Sequence, residues 1–403
     1  MQLISYIVVV LIFMGPCVLA YLGWQVEGKN VSFVTSFYPS FYILFIFHIY
    51  FLLNSKKYGQ MNKETTCLLI ICSLYYFITY ILNRNPSRMV LFNSILLPAL
   101  YASFFNYRSI NKNLSKIRNL IILLYIINSI LSIIERLTLQ NFFPLQLAYK
   151  NSDFTIENEL YANLFRSTAL LGHPLSNALI TSIIMGFILI SNFKNSYKYI
   201  LYILGIIALL CFNARGAMLL SGLFFAIYIF SNLMRKNVTL SSKLYLSLIV
   251  ICCIIIVAIF FEKGYGGRFF ENDDVYGDVS IMARIYVWSI FPNLSLGSLI
   301  FGVNGNEITY LAIKILGIVH IENWLILLIL NIGILMTIFV LLLFIPIFKK
   351  SLYSFSNIQK FLLLGICLGI ASTNNSLACG VPAISLFLVS SYAFSSKHLN
   401  IQH

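Results

Sequence analysis

The sequence predicts an all-α fold, a polytopic membrane protein of about twelve transmembrane helices with a long outer loop before the tenth. Three observations predict it. The composition is 60% hydrophobic and only 10% charged, against roughly 25% charged in soluble domains. Its apolar residues come in blocks, most of them approaching the roughly 17–25 residues of a spanning helix. Its positive charges gather on alternate loops between those blocks.

The first block, Leu3–Tyr21, lacks a basic start and a small-residue cleavage site, so it reads as a retained helix. Phe37–Leu53, Thr66–Leu82, Val90–Phe105 and Leu120–Ile134 follow, then Ser167–Ile190, Tyr199–Phe212, Ala217–Leu233 and Leu244–Phe261. Trp324–Phe348, Phe361–Ala371 and Leu377–Phe394 complete the series, the seventh and eleventh being short. No segment alternates in the manner of a strand, so the helix is left as the way to satisfy a spanning backbone. Residues 1–403 read as a single integral membrane domain.

Numbering the loops from a cytoplasmic N-terminus places sixteen Lys and Arg on the inner side, against one acid, Glu64. The other twelve acids lie on the outer side or its boundary with eleven basic residues. This is the positive-inside pattern, and it puts both termini in the cytoplasm. The net charge of +14 therefore reports topology, not a nucleic-acid partner. The eight cysteines all lie in apolar blocks and read as small buried hydrophobes.

Two outer segments are long. The smaller runs from Glu135 to Arg166 and the larger from Glu262 to Glu322. Loops beyond about 15 residues are usually functional or disordered, and the larger one holds too many aromatics for disorder. It reads as folding over the membrane surface, with a short helix at Ile281–Phe291 that sets Arg284 and Trp288 one turn apart and ends at Pro292.

Three motifs carry candidate chemistry. In Asn213-Ala-Arg-Gly216 the seventh and eighth blocks meet with almost no loop, so Arg215 sits at the outer boundary. An arginine inside a helix there costs about 2.5–3.5 kcal/mol on insertion scales, which marks a functional residue; the plainer reading is a snorkelling side chain. Arg166 opens the sixth block and His173 lies two turns inward before Pro174, which suggests a broken helix. Third, His320-Ile-Glu322-Asn323 closes the large loop. It offers an imidazole and a carboxylate as general base, or simply an N-terminal cap from Glu322 or Asn323. Asp273, Asp274 and Asp278 read as a solvated acidic turn, Glu27 as a lone carboxylate, His48 as a packed core residue, and His398 and His403 as tail. Arg166, Arg215, Arg284 and the His320/Glu322 pair all map to one boundary. Arginines gathered there suit a diphosphate, since guanidinium holds phosphate oxygens bidentately and stays charged.

These residues resemble the O-antigen polymerase and ligase superfamily of bacterial polysaccharide assembly. Arg166-Ser-Thr-Ala-Leu-Leu-Gly-His173-Pro looks like the arginine–glycine–histidine–proline block of Wzy-type polymerases. Asn213-Ala-Arg215-Gly resembles the family's short arginine hairpin, and Arg284-Ile-Tyr-Val-Trp288 its arginine-bearing loop helix. His320-Ile-Glu-Asn323, followed by Asn331-Ile-Gly333, resembles the closing motif. The patches span Arg166 to Gly333; the N-terminal third is similar in hydropathy alone.

The resemblance implies a long periplasmic loop and a glycosyltransferase of the bacterial inner membrane. Its glycan donor and acceptor would be linked to undecaprenyl diphosphate, with membrane lipid and a chain-length regulator as partners. Arg166, Arg215 and Arg284 would hold the diphosphate, His320 or Glu322 would be the catalytic base, and His173 and Asn323 would support them. No cofactor and no metal are expected. Ligases of the superfamily carry a histidine pair around the closing asparagine; here one position is Glu322, which favours polymerase over ligase. A flippase would show repeats and midplane charges, and neither is evident.

Overall fold

The computed structural model describes residues 1–26, 31–54, 63–82, 84, 87–107, 110, 113–144, 165–233, 286–318, 321–372 and 382–395, with single positions 251, 255, 258, 259, 262 and 377. Every regular element among these residues is helical. Four helices are long and apolar enough to cross a membrane: Lys63–Ile81 (α4), Leu114–Thr138 (α6), Asn195–Phe212 (α8) and Trp324–Ser351 (α12). Shorter apolar helices pack with them: Gln2–Phe13 (α1), Pro39–Leu53 (α3), Leu97–Phe105 (α5), Pro174–Ile190 (α7), Arg215–Leu233 (α9), Asn357–Ala371 (α13) and Ala383–Ala393 (α14). Of the expected blocks, the ninth, Leu244–Phe261, falls almost wholly outside the described residues.

α14 lies at the centre. Every one of its residues except Ile384 is buried, and it touches α1, α5, α6, α7 and α12. Three buried tyrosines pair with backbone across helices. Tyr101, Tyr125 and Tyr202 hydroxyls donate to the backbone carbonyls of Val8, Leu201 and Ser221, each at 2.6 Å. A helical carbonyl keeps a second lone pair for such a bond, and an unmade one would cost roughly 1–3 kcal/mol in an apolar interior. Where helices approach most closely the residue is small: a Cβ on Gly205 would overlap the Tyr125 hydroxyl.

Several apolar blocks are broken where hydropathy reads them as continuous. The first divides at Met14–Gly15 into α1 and Pro16–Tyr21 (α2). Gly15 N–H donates to Leu170 O at 3.0 Å, and no side chain fits between the two backbones. The fourth block opens as a π-helix, Val90–Leu96, in which buried Asn93 donates to Ser36 O (2.9 Å) and accepts from Tyr38 N–H (3.2 Å). Such bulges re-aim side chains at the cost of regular bonds.

The sixth block departs most. Its helix begins at Pro174, so His173 is the N-cap residue rather than two turns inside a helix. Proline excludes the helical region for the residue before it, and His173 accordingly has φ −141° and ψ 128°. Residues 165–173 form an irregular strap across the bundle end.

The large loop also differs from expectation. Val287–Asn293 is a 3₁₀ helix that runs through Pro292 instead of stopping there. Asn293 Nδ2 donates to Ser289 O at 2.9 Å, the carbonyl that Pro292, lacking an N–H, leaves open. Leu296–Phe301 (α10) and Gly305–Leu311 (α11) follow, each capped by the preceding polar side chain, Ser295 or Asn304. α10 does not merely lie over the surface. It packs beside Gly333, nine residues into α12, or ~13 Å along a helix at 1.5 Å per residue. Gly333 has φ 74° and breaks α12 there.

Candidate functional site

The strap is held from every side by groups set at helix ends. Ser167 N–H donates to Cys211 O (3.1 Å) and Arg166 Nε to Phe212 O (3.3 Å). Arg166 is thereby tied to the end of α8, one short turn before Arg215 begins α9. Asn213 at φ 52° makes that turn, in the left-handed region that asparagine tolerates better than most residues. At its other end, Asn177 Nδ2 donates to Thr168 O (2.6 Å) and His173 O (3.0 Å), and Asn128 Oδ1 accepts from Leu170 N–H (3.1 Å). Gly172, at φ 70°, lies against Cys17, whose thiol donates to its carbonyl at 3.7 Å.

Arg166 and Arg215 thus line the α8–α9 turn as one wall, His173 ends the strap at the start of α7, and all three are half-buried. The electrostatics of that wall favour an anion. The N-termini of α7 and α9 open onto it, neither with an acid in its first turn. Each helix start carries roughly half a positive charge, so Arg215 adds a cation where positive potential already exists.

Glu322 and Asn323 stand at the start of α12, whose main neighbours are α4, α5, α10 and α14. Asn323 Oδ1 accepts from Leu325 N–H (3.1 Å) and Ile326 N–H (3.2 Å), so its carboxamide is used as a helix cap. Glu322 is half-buried beside it. His320 and Arg284 lie outside the described residues, as do Asp273, Asp274, Asp278, Glu27, His398 and His403. His48 is buried in the core as expected. Cys17, Cys72, Cys211 and Cys367 are buried too, whereas Cys67 faces outward on α4; Cys252, Cys253 and Cys379 are outside the described residues. Among the described residues, no three His, Cys, Asp or Glu gather to share an ion.

Sequence reading missed two charged residues here. Glu135 was expected to begin the smaller outer loop, but α6 continues to Thr138 and Glu135 is wholly buried in its last turn. Oε2 accepts from the Ser167 hydroxyl and from the N–H groups of Thr168 and Ala169, both at 2.9 Å. Oε1 accepts from Phe142 N–H at 2.9 Å. Buried Arg136 donates to Phe165 O at 2.9 Å. Those bonds hold Ala169 at φ 36°, a left-handed conformation that costs about 1–2 kcal/mol outside glycine. The signal was in the spacing: Asn128, Ser129, Ser132, Glu135 and Arg136 fall on one helical face and continue the buried stripe of Ile121, Ile122 and Tyr125. Hydropathy, which sums over all faces, ends the block at Ile134.

Compared with known proteins, the chain matches no protein-family model and no curated protein.

Proposed function

We propose that the chain is a glycosyltransferase that polymerises oligosaccharide repeat units carried on a polyprenyl diphosphate. One observation carries the reading: Arg166 is bound to the carbonyl of Phe212, beside Arg215, on a wall onto which two acid-free helix starts open. Two guanidinium groups and the positive ends of two helices suit a diphosphate better than a neutral sugar or a cation.

In the reaction, a hydroxyl of the acceptor glycan attacks the anomeric carbon of the donor. The new glycosidic bond forms as the bond from that carbon to the diphosphate oxygen breaks, and the electron pair leaves with the polyprenyl diphosphate. Arg166 and Arg215, with Arg284 from the large loop, stabilise that leaving charge. His320 takes the hydroxyl proton, its unperturbed pKa near 6.5 needing little tuning, and Glu322 supports it. The acceptor site lies toward the start of α12 and the donor diphosphate on the strap wall.

Purified protein supplied with lipid-linked repeat units should produce a ladder of lengthened chains. His320→Ala should lower turnover by about 10²–10⁴-fold, the usual worth of a general base, and Glu322→Gln by about tenfold. Units left at length one would sink the polymerase reading, and transfer to a lipid A-core acceptor would replace it with the ligase. Should Glu322→Gln be dead and His320→Ala active, the base is Glu322.

The reading also fixes orientation in the bacterial inner membrane. The lysine and arginine asymmetry puts both termini in the cytoplasm and the strap wall in the periplasm. Reporter fusions after Lys350 and within Gly277–Ser280 should land on opposite sides. Fusions reporting the same side would refute that topology.

A further inference from the structure

We infer that Glu135 and Arg136 are positioning residues that clamp the strap on both sides of Arg166 and so set its guanidinium for an anionic ligand. The inference deepens the diphosphate reading above and rests on it. Arg136 fixes the strap at Phe165, one residue before Arg166, and Glu135 fixes it at Ser167, Thr168 and Ala169, immediately after. Between those fixed points lies Arg166, whose Nε donates to Phe212 O at the end of α8.

The chemistry of Glu135 argues for holding rather than reacting. Its carboxylate has four hydrogen-bond donors on it and no exposure to solvent. Oε2 carries three of those donors and Oε1 the fourth, and with the whole side chain shut off from solvent neither oxygen is placed to meet a substrate. Two successive N–H groups turned onto one oxygen, with Ala169 left-handed, make a backbone nest of the kind that binds anions. Here the anion is part of the chain. The nest therefore draws its charge from α6, which leaves a substrate anion to Arg166, on the side of the strap tied to Phe212.

The test uses the full-length protein in detergent with undecaprenyl diphosphate as the probe. Glu135→Gln keeps the size of the side chain but removes its charge and sets an amide NH₂ against a backbone donor. It should weaken probe binding about tenfold. Because Glu135 acts through Arg166, the double variant with Arg166→Ala should bind no more weakly than Arg166→Ala alone. Amide exchange at Thr168 and Ala169 should quicken in Glu135→Gln without any ligand. Ser167→Ala, which removes a single hydroxyl from the clamp, should show the same pattern at about threefold and serves if Glu135→Gln does not fold. Wild-type affinity in these variants, or losses that multiply in the double variant, would overturn the positioning role while leaving the diphosphate reading intact. If the wild-type protein itself fails to bind the probe, the diphosphate reading falls, and unchanged exchange at Thr168 and Ala169 would then overturn the clamp as well.

Discussion

Replacing Gly333 by valine should leave little folded protein, and replacing it by alanine should lower stability by about 3–5 kcal/mol, the range in which backbone strain and a severe clash combine. At φ 74° any L side chain is strained by about 1–2 kcal/mol. A Cβ there would also overlap the Ile300 carbonyl, a backbone group that cannot swing aside. The neighbours confirm how closely α10 and α12 meet. Val303 N–H donates to Leu330 O at 2.7 Å, and Tyr75 donates its hydroxyl to Phe301 O at 2.7 Å. Gly302, itself at φ 75°, has Asn331 O where its own Cβ would be, at 2.6 Å. Against a net stability of roughly 5–15 kcal/mol, the alanine loss is large. Thermal unfolding in mild detergent, followed by size exclusion, measures it. An alanine variant that melts with the wild type would show that α10 does not dock on this break.

Arg215→Ala should reduce polymer formation at least about 100-fold, the usual effect of removing a donor aimed at developing charge. Arg215→Lys should recover only part of it, remaining down about tenfold, because the ammonium keeps the charge and loses the bidentate fork. Full-length polysaccharide from both variants at normal expression would remove Arg215 from the site.

Much of the architecture was legible because apolar blocks and helices have one cause, the need of each segment to bond its own backbone. Each of the eleven blocks other than the ninth contains a described helix for that reason, though the first is split and the sixth is helical only from Pro174. The Arg215 hairpin was legible too, since two blocks meeting across Asn213 and Ala214 leave room for nothing longer. What hydropathy hides is direction within a helix. It cannot distinguish Glu135, turned inward under the strap, from a loop carboxylate one residue past an apolar run. Nor does it register a break made by a partner far along the chain. Gly333 reads as one more small residue in an apolar run until α10 is placed against it. That Arg166 and Arg215 lie on one side was expected from sidedness, but the bond that ties Arg166 to Phe212, three residues before Arg215, depends on the strap's irregular path. Glu322 and Asn323 were expected at the same boundary, and sidedness fixes height in the bundle without fixing position around it.

The order in which the chain is made bears on the strap. The partners that hold it, Gly15, Cys17, Asn128, Glu135, Arg136, Asn177, Cys211 and Phe212, all precede Arg215 in the sequence. During synthesis the arginine wall can therefore be complete while the segment containing Gly333 is still on the ribosome. The second half would then close the core around a strap already tied, its α14 filling the centre between α1, α5, α6 and α7. A gene divided after the codons for α9, with its two products made side by side, keeps every named strap contact within the first fragment.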